Sequence, residues 1–138
     1  MRITLIGAGR VATQLALALH TQHQIVQVYS RNLQHAQRVA DKVHTQAIDQ
    51  VEQLNSQTDL VIIAVSDQAI EPIIQSIKVY LPQCLIVHTS GSTALSIIEH
   101  HHKRAGVFYP LQTFSFEREV NWSETPLFVE ASQQQDVE

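Results

Sequence analysis

The chain has 138 residues, of which 44% are hydrophobic and 16% are charged, and its formal net charge at pH 7 is -4. This length and composition are typical of one globular domain with its own core, and they exclude a disordered, fibrous or membrane-spanning chain. No broad basic region is present, which argues against nucleic acid as a partner. The longest apolar run, residues 60–65, is too short to cross a membrane, and no signal peptide is expected, so the sequence predicts a cytoplasmic protein.

Two strand-helix pairs are predicted in the first part of the chain. An apolar run rich in β-branched residues, 2–6, stops at a glycine-containing turn, and a helical pattern begins at once. A second run over residues 25–29 is followed by Asn32, a residue type that caps helices. The apolar faces predicted for the two helices are Val11, Leu15, Ala18 and Leu19, and Leu33, Ala36, Ala40 and Val43.

The middle of the chain contains an apolar run, residues 60–65, that shows no alternation. A strand tolerates this only when both of its faces are covered, so we expect a central parallel strand. Ser66 and Asp67 offer caps to a following helix, in which Pro72 is tolerable only in the first turn, and Pro82 ends that element. The other predicted elements are a short strand near residues 47–48, strands over 85–88, 107–109 and 127–130, and a helix from 93 to about 101.

Strands that alternate with helices predict an α/β fold with right-handed crossovers and a doubly wound, mostly parallel sheet. We expect this domain to span residues 1–130. The polar residues 131–138 are interpreted as a linker or a cut end that leads to a further domain, rather than as a finished terminus.

The turn after the first strand has the pattern G-x-G-x-x-A over residues 7–12, placed where a dinucleotide-binding fingerprint belongs. Gly7 permits the tight turn, Gly9 lets the backbone approach a diphosphate, and Ala12 keeps the helix close to the sheet. The amides and the dipole of the helix start attract phosphates. The pattern therefore predicts a Rossmann NAD(P)-binding domain. The alternative is an ordinary glycine turn between a strand and a helix.

The end of the second strand indicates which cofactor is bound. An NAD site usually has Asp or Glu there to accept the ribose hydroxyls, whereas this strand ends in Tyr29-Ser30-Arg31-Asn32. Ser30 can donate to a 2'-phosphate, Arg31 can pair with it, and the amides of the helix that Asn32 caps point the same way. The sequence therefore predicts NADP, with a solvated arginine at a helix start as the alternative.

Two further loops follow carboxyl ends of strands, the sheet edge where open α/β folds bind ligands. The loop over residues 64–67 is expected to line the cofactor, and the loop over residues 88–92 to reach the nicotinamide end. Ser66 and Asp67 can instead be only helix caps, and residues 88–90 can be purely structural. The predicted cofactor-binding residues are Gly7, Ala8, Gly9, Arg10, Val11, Ser30, Arg31, Asn32, Ala64, Val65, Ser66, Asp67, His88, Thr89 and Ser90.

The histidine-rich run over residues 100–104 is not expected to bind metal. Consecutive helical side chains point about 100° apart and cannot all hold one ion. We interpret the run as a basic helix end that faces water. The histidines of the first half, His20, His23, His35 and His44, are interpreted as solvated.

Five segments of the sequence, GAGRVA, SRN, AVSDQAI, HTSGS and YPLQTFS, resemble the N-terminal domain of a bacterial family of Rossmann-like proteins. That family joins this domain to a helical C-terminal domain of unknown function. Its relatives include pyrroline-5-carboxylate reductase, ketopantoate reductase and the deazaflavin-dependent NADP reductases. The resemblance covers about residues 1–130 and implies an NADP-binding half. The positions that match cofactor contacts in such relatives are Gly7, Gly9, Ser30, Arg31, Val65, Ser66 and Thr89.

The resemblance also implies that a second domain is needed for activity. In these relatives the helical domain closes the substrate pocket, forms the homodimer and supplies much of the catalytic chemistry. We therefore expect the cofactor half of an NADP-dependent oxidoreductase for a small imine or carbonyl substrate, inactive by itself, and we assign no catalytic residue. The alternative is a nucleotide-sensing module without catalysis. A methyltransferase is disfavoured because no acidic residue ends the second strand.

Overall fold

Seven strands and four helices lie in the part of the chain that the computed structural model describes, residues 1–81, 84–90, 96–99, 102, 104–110 and 127–131. The strands are β1 (Arg2–Ile6), β2 (Gln24–Tyr29), β3 (Gln46–Ile48), β4 (Leu60–Ile63), β5 (Leu85–His88), β6 (Ala105–Pro110) and β7 (Leu127–Ala131). The helices are α1 (Arg10–Leu19), α2 (Leu33–Val43), α3 (Asp67–Ile77) and α4 (Ser96–Glu99), with a 3-10 turn at Val51–Gln53.

The strands form one sheet in the order β3-β2-β1-β4-β5-β6-β7. The strands from β1 to β6 pair in parallel, and β7 is antiparallel to β6. The chain runs outward from β1 in one direction through β2 and β3, and in the other direction from β4 onward. This reversal confirms the predicted doubly wound, mostly parallel sheet, and such a reversal leaves a crevice at the carboxyl ends of the two central strands.

Two hydrophobic clusters cover the two faces of the sheet. One contains Leu15 of α1 and Val39 of α2, and the other contains Ile70 and Ile74 of α3. Strand β4 contributes to both, because Ile62 belongs to the first cluster while its neighbours along the strand belong to the second. The unpatterned apolar run therefore is the central strand that the sequence predicts, with both faces buried.

The predicted helix faces are confirmed in part, since Leu15 is buried and Val11 and Leu19 pack against the same core cluster. In α1 the buried residues are Ala12 to Ala16, whereas Val11, Ala18 and Leu19 are only partly buried. In α2 the exposed fraction of Leu33 is 44%, and the buried stripe begins one turn later. The buried residues of α2 are Ala36, Val39, Ala40 and Val43. The stripe follows the helical period, and the prediction is wrong in including Leu33 and in omitting Val39.

The expected position of Pro72 in the first turn is wrong. The helix begins at Asp67, so Pro72 lies in its second turn, where its ring removes the amide that would bond the carbonyl of Gln68. Strand β4 is also shorter than predicted and ends at Ile63. Pro82, most of the helix predicted over 93–101 and the tail from residue 132 lie outside the described residues.

The histidine run is not simply exposed to water. His102 is buried, and its Nε2 atom lies 2.5 Å from the carbonyl oxygen of Cys84. This contact ties the segment after α4 to the start of β5, so the interpretation of a solvated helix end is wrong for this residue. His100 and His101 lie outside the described residues.

Features of two other protein classes are absent from the described residues. No group of three His, Cys, Asp or Glu side chains lies close enough together to hold a metal ion. Within the same residues, every helix is too short or too polar to span a membrane.

The buried thiol of Cys84 gives a test of the core. Burial raises the pKa of this thiol to about 11, and its Sγ donates to the carbonyl of Leu81 at 3.4 Å. Because the thiolate is the reactive form, we expect the folded protein to react very slowly with an aromatic disulfide reagent at pH 8. The chain contains one cysteine, so the urea-unfolded protein is a clean control. Equal rates in the folded and unfolded states would contradict this burial.

Candidate functional site

A cleft of about 1700 Å³ opens at the carboxyl ends of the central strands. It extends from the turn after β1 to the start of α2 on one side, and to α3 and the end of β5 on the other. Every residue predicted to bind the cofactor lines this cleft except His88. The topology therefore brings together four loops that are up to 83 positions apart in the sequence, as the reversal of strand order requires.

Gly7 lies where the chain leaves the sheet. Its φ is +119°, and its amide donates to the carbonyl of Tyr29 at 2.7 Å. A Cβ atom at this position would lie 2.2 Å from the carbonyl oxygen of Ala64. No other residue fits both the conformation and the space. The predicted tight turn therefore requires glycine at this position.

Gly9 has a different role from Gly7. It is the N-cap residue of α1, in an extended conformation with φ -86°, and an added Cβ atom would meet nothing within 4 Å. No side chain caps the helix start, while Thr13 holds the Gly9 carbonyl through its amide at 3.0 Å and its hydroxyl at 2.7 Å. The first turn of α1 therefore presents amides to an open space that suits a phosphate.

The end of β2 forms the second part of the site. The amide of Asn32 donates to the Oγ of Ser30 at 3.1 Å. The Oδ1 of Asn32 accepts from the amides of Gln34 at 3.0 Å and His35 at 3.3 Å, which is the predicted helix cap. The expectation that these amides point at a phosphate needs correction, because the Asn32 side chain already occupies two of them.

The guanidinium of Arg31 is available for a ligand. Its side chain is exposed, and it has no hydrogen bond or ion pair with any described residue. The predicted site lacks two neighbours on α2, namely His35, which the sequence analysis interprets as solvated, and Arg38. Both line the cleft. Positions 32, 35 and 38 are three apart and share one side of a helix, which is the signal that could have found them.

The charge of the cleft differs from that of the whole chain. Arg10, Arg31 and Arg38 line it, and Asp67 is the only carboxylate among its described lining residues. The chain as a whole carries a formal charge of -4. A positive cleft in a negative protein focuses the electrostatic field and raises the local concentration of an anionic ligand.

The loops after β4 and β5 complete the floor of the cleft. Ser66 occupies the N-cap position of α3, but its side chain makes no capping hydrogen bond, so capping does not account for its hydroxyl. The amide of Thr89 donates to the carbonyl of Ile63 at 3.2 Å and keeps this loop against β4. Both Ser66 and Thr89 line the cleft.

His88 is not part of the cleft lining. It is fully buried, and its Nδ1 accepts a hydrogen bond from the amide of Ser90 at 3.1 Å. An accepting Nδ1 in a neutral imidazole places the proton on Nε2. The expected direct contact with the cofactor is therefore replaced by a structural one, in which His88 shapes the loop that brings Thr89 and Ser90 to the cleft.

One wall of the cleft was missed altogether. Helix α3 contributes a row of mostly small or apolar residues, namely Gln68, Ala69, Pro72, Ile73 and Ser76. Their spacing of three or four positions places them on one side of the helix. An apolar wall with a few polar atoms suits a planar base or another apolar part of a ligand.

Known proteins resemble this chain in sequence and in fold. A sequence model of the family described as NADP oxidoreductase, coenzyme F420-dependent, matches residues 2–91. Among solved structures, a candidate NADP oxidoreductase from Bacteroides fragilis is 41% identical, with a TM-score of 0.94 over 99% of this chain and 53% of that one. No curated protein matches the sequence.

Two more distant structures share the fold. A prephenate dehydrogenase from A. aeolicus, in complex with hydroxyphenyl propionate and NAD+, is 10% identical, with a TM-score of 0.81 over 94% of this chain and 50% of that one. A pyrroline-5-carboxylate reductase from Coxiella burnetii is 20% identical, with a TM-score of 0.69 over 80% and 44%. The chain thus spans about half the length of the structures that it matches, and the resemblance to Rossmann-like relatives of these reductases is confirmed.

The two glycines of the turn should respond differently to the same added methyl group. Gly7→Ala places a Cβ against the Ala64 carbonyl in a backbone conformation that alanine avoids, so we expect a loss of about 3 kcal/mol or more in the free energy of unfolding. Gly9→Ala is the matched control and should cost less than about 1 kcal/mol, as for a helix N-cap. Urea denaturation measures both. Equal losses in the two variants would contradict the assigned roles.

Proposed function

We propose a function for this chain from one premise: it belongs to the NADP oxidoreductase family described as coenzyme F420-dependent. Members of that family bind nicotinamide-type nucleotides. The more specific proposal is that this chain is the NADP(H)-binding half of an oxidoreductase that acts on a small imine or carbonyl compound. The observation that carries it is the cleft in which an uncapped helix start faces a cationic β2 end that has no carboxylate.

The preference for NADP rests on the residues after β2. An NAD site uses a carboxylate there to accept the ribose hydroxyls, and this chain has Ser30 and Arg31 instead. The exposed guanidinium of Arg31 matches a phosphate in charge and in planar, two-donor geometry. His35 lies beside it on the same cleft wall and adds a ring nitrogen. The fold does not decide the preference, because an NAD+ complex shares it at 10% identity.

The residues of this chain would hold the parts of NADP(H) in a fixed order. The first turn of α1 would bind the diphosphate, with the amides of its start as donors. The wall of α3 would cover the adenosine, and the loop with Thr89 and Ser90 would reach the nicotinamide end. The bound cofactor supplies hydride chemistry, and the protein supplies binding and orientation.

The rest of the reaction is assigned to a second domain. The chain spans about half of the length of the structures that it matches. By resemblance, a helical domain would close the substrate pocket and form a homodimer in the cytoplasm. Hydride transfer needs the substrate held against the nicotinamide, so this half alone would bind the cofactor without turnover.

The cofactor preference is tested by removing one charge. We expect NADPH to bind more tightly than NADH, and Arg31→Ala to reduce that preference about 5- to 150-fold, the range of about 1–3 kcal/mol for a charge-assisted hydrogen bond. Fluorescence of the bound reduced nicotinamide measures both affinities. Lys42→Ala is the matched control, because Lys42 is an exposed cation on α2 that does not line the cleft. An Arg31→Ala protein with its full NADPH preference would defeat the assignment.

Catalysis is tested on a longer polypeptide, in which the proposed second domain follows this chain. With the second domain attached, we expect NADPH oxidation, followed by its absorbance, with at least one compound in a panel of small cyclic imines and keto acids. The 138-residue chain should show binding without turnover, since the proposed substrate pocket needs the second domain. Binding without turnover by the longer polypeptide across the panel would favour a nucleotide-sensing module.

A further inference from the structure

The Arg38 side chain connects α2 to the glycine turn by a hydrogen bond. The Nη2 atom of Arg38 donates to the carbonyl oxygen of Ala8 at 3.2 Å, across 30 positions of sequence. Both residues line the cleft. The contact therefore joins the wall beside the proposed 2'-phosphate position to the turn that approaches the proposed diphosphate position.

The contact fixes the direction of one amide. Among the described residues there is no cis peptide bond, so the carbonyl of Ala8 and the N–H of Gly9 point in opposite directions. When Arg38 holds the Ala8 oxygen, the Gly9 N–H must point away from the guanidinium. No described residue accepts a hydrogen bond from that N–H.

The backbone groups on either side of the Ala8–Gly9 peptide are held by hydrogen bonds. The amide of Gly7 bonds to the carbonyl of Tyr29 at 2.7 Å. The carbonyl of Gly9 accepts from both the amide and the hydroxyl of Thr13. Between these two anchors, the Ala8–Gly9 peptide could still rotate as a unit about the ψ angle of Ala8 and the φ angle of Gly9, because glycine restricts its φ little. The Arg38 guanidinium is the side-chain donor that holds the carbonyl of this peptide among the described residues.

We propose that Arg38 is a positioning residue, which orients the Ala8–Gly9 peptide so that the Gly9 N–H faces the diphosphate of a bound dinucleotide. This inference rests on the proposed function. Without the guanidinium, the peptide must be ordered at the moment of binding, which lowers affinity. The role differs from that of Arg31, because it serves every ligand with a diphosphate, whether or not the ligand has a 2'-phosphate.

Two fragments of the cofactor separate the two roles. Adenosine diphosphate carries the diphosphate without a 2'-phosphate, and adenosine 2'-monophosphate carries the 2'-phosphate without a diphosphate. We expect Arg38→Ala to weaken NADPH, NADH and adenosine diphosphate about tenfold each, and to leave adenosine 2'-monophosphate unchanged. Arg31→Ala should weaken NADPH and adenosine 2'-monophosphate only. Lys42→Ala should change none of the four affinities.

A second measurement reports whether the Ala8–Gly9 peptide has one orientation. In the ligand-free protein, we expect one sharp NMR signal for the Gly9 amide, and exchange broadening of this signal in Arg38→Ala. Arg38→Lys retains a charged donor, so it should restore part of the NADH affinity. Thermal unfolding of each variant checks that the fold is intact, which is expected because Arg38 is exposed.

The outcomes distinguish the two levels of the proposal. A loss confined to the 2'-phosphorylated ligands would make Arg38 a direct phosphate contact and overturn the positioning role. Unchanged affinities, or an unchanged Gly9 signal, in Arg38→Ala would also overturn it, while NADPH binding by the unmodified chain would leave the proposed function standing. Failure of the unmodified chain to bind either dinucleotide would overturn both the positioning role and the proposed function.

Discussion

The site depends on one close approach, between the Cα of Gly7 and the carbonyl oxygen of Ala64. A Cβ atom would lie 2.2 Å from that oxygen, so the first turn can pack against the end of β4 only without a side chain. The Gly7 amide bonds at the same time to the carbonyl of Tyr29. Gly7 thus joins the carboxyl ends of β1, β2 and β4. This junction fixes the position of the start of α1.

The scaffold and the recognition groups are separate layers of the molecule. Gly7 and the strand ends Ile6, Tyr29 and Ile63 are buried, whereas the recognition groups Arg31, His35 and Arg38 are exposed. Substitution of exposed residues away from caps and special conformations changes stability little. Cofactor preference can therefore change without a cost to the fold. This separation is consistent with one fold being shared by a dehydrogenase in complex with NAD+ and by members of an NADP oxidoreductase family.

The pattern of neighbouring residues was enough to predict strands and helix caps, which depend mainly on local sequence. Strands β1 and β5 have the predicted bounds, and the Asn32 cap is present, because strand runs and caps are encoded by neighbouring residues. His88 could not be placed in this way. Its burial results from packing across the sheet, and its contact with the Ser90 amide depends on how the chain turns after β5. The same holds for Arg38, whose partner is 30 positions away.

The proposed division between a binding half and a second domain follows from the exposure of the cleft. Gly9, Arg10, Ser66 and Asp67 line it and are all exposed, so water reaches the place where the cofactor would lie. Binding of a charged diphosphate tolerates water, because the amides and guanidinium groups compete with it directly. Hydride transfer is different, since exclusion of water strengthens the interactions within the site and prevents side reactions. A cover over this cleft is therefore a chemical requirement of the proposed reaction, and the second domain is the part proposed to supply it.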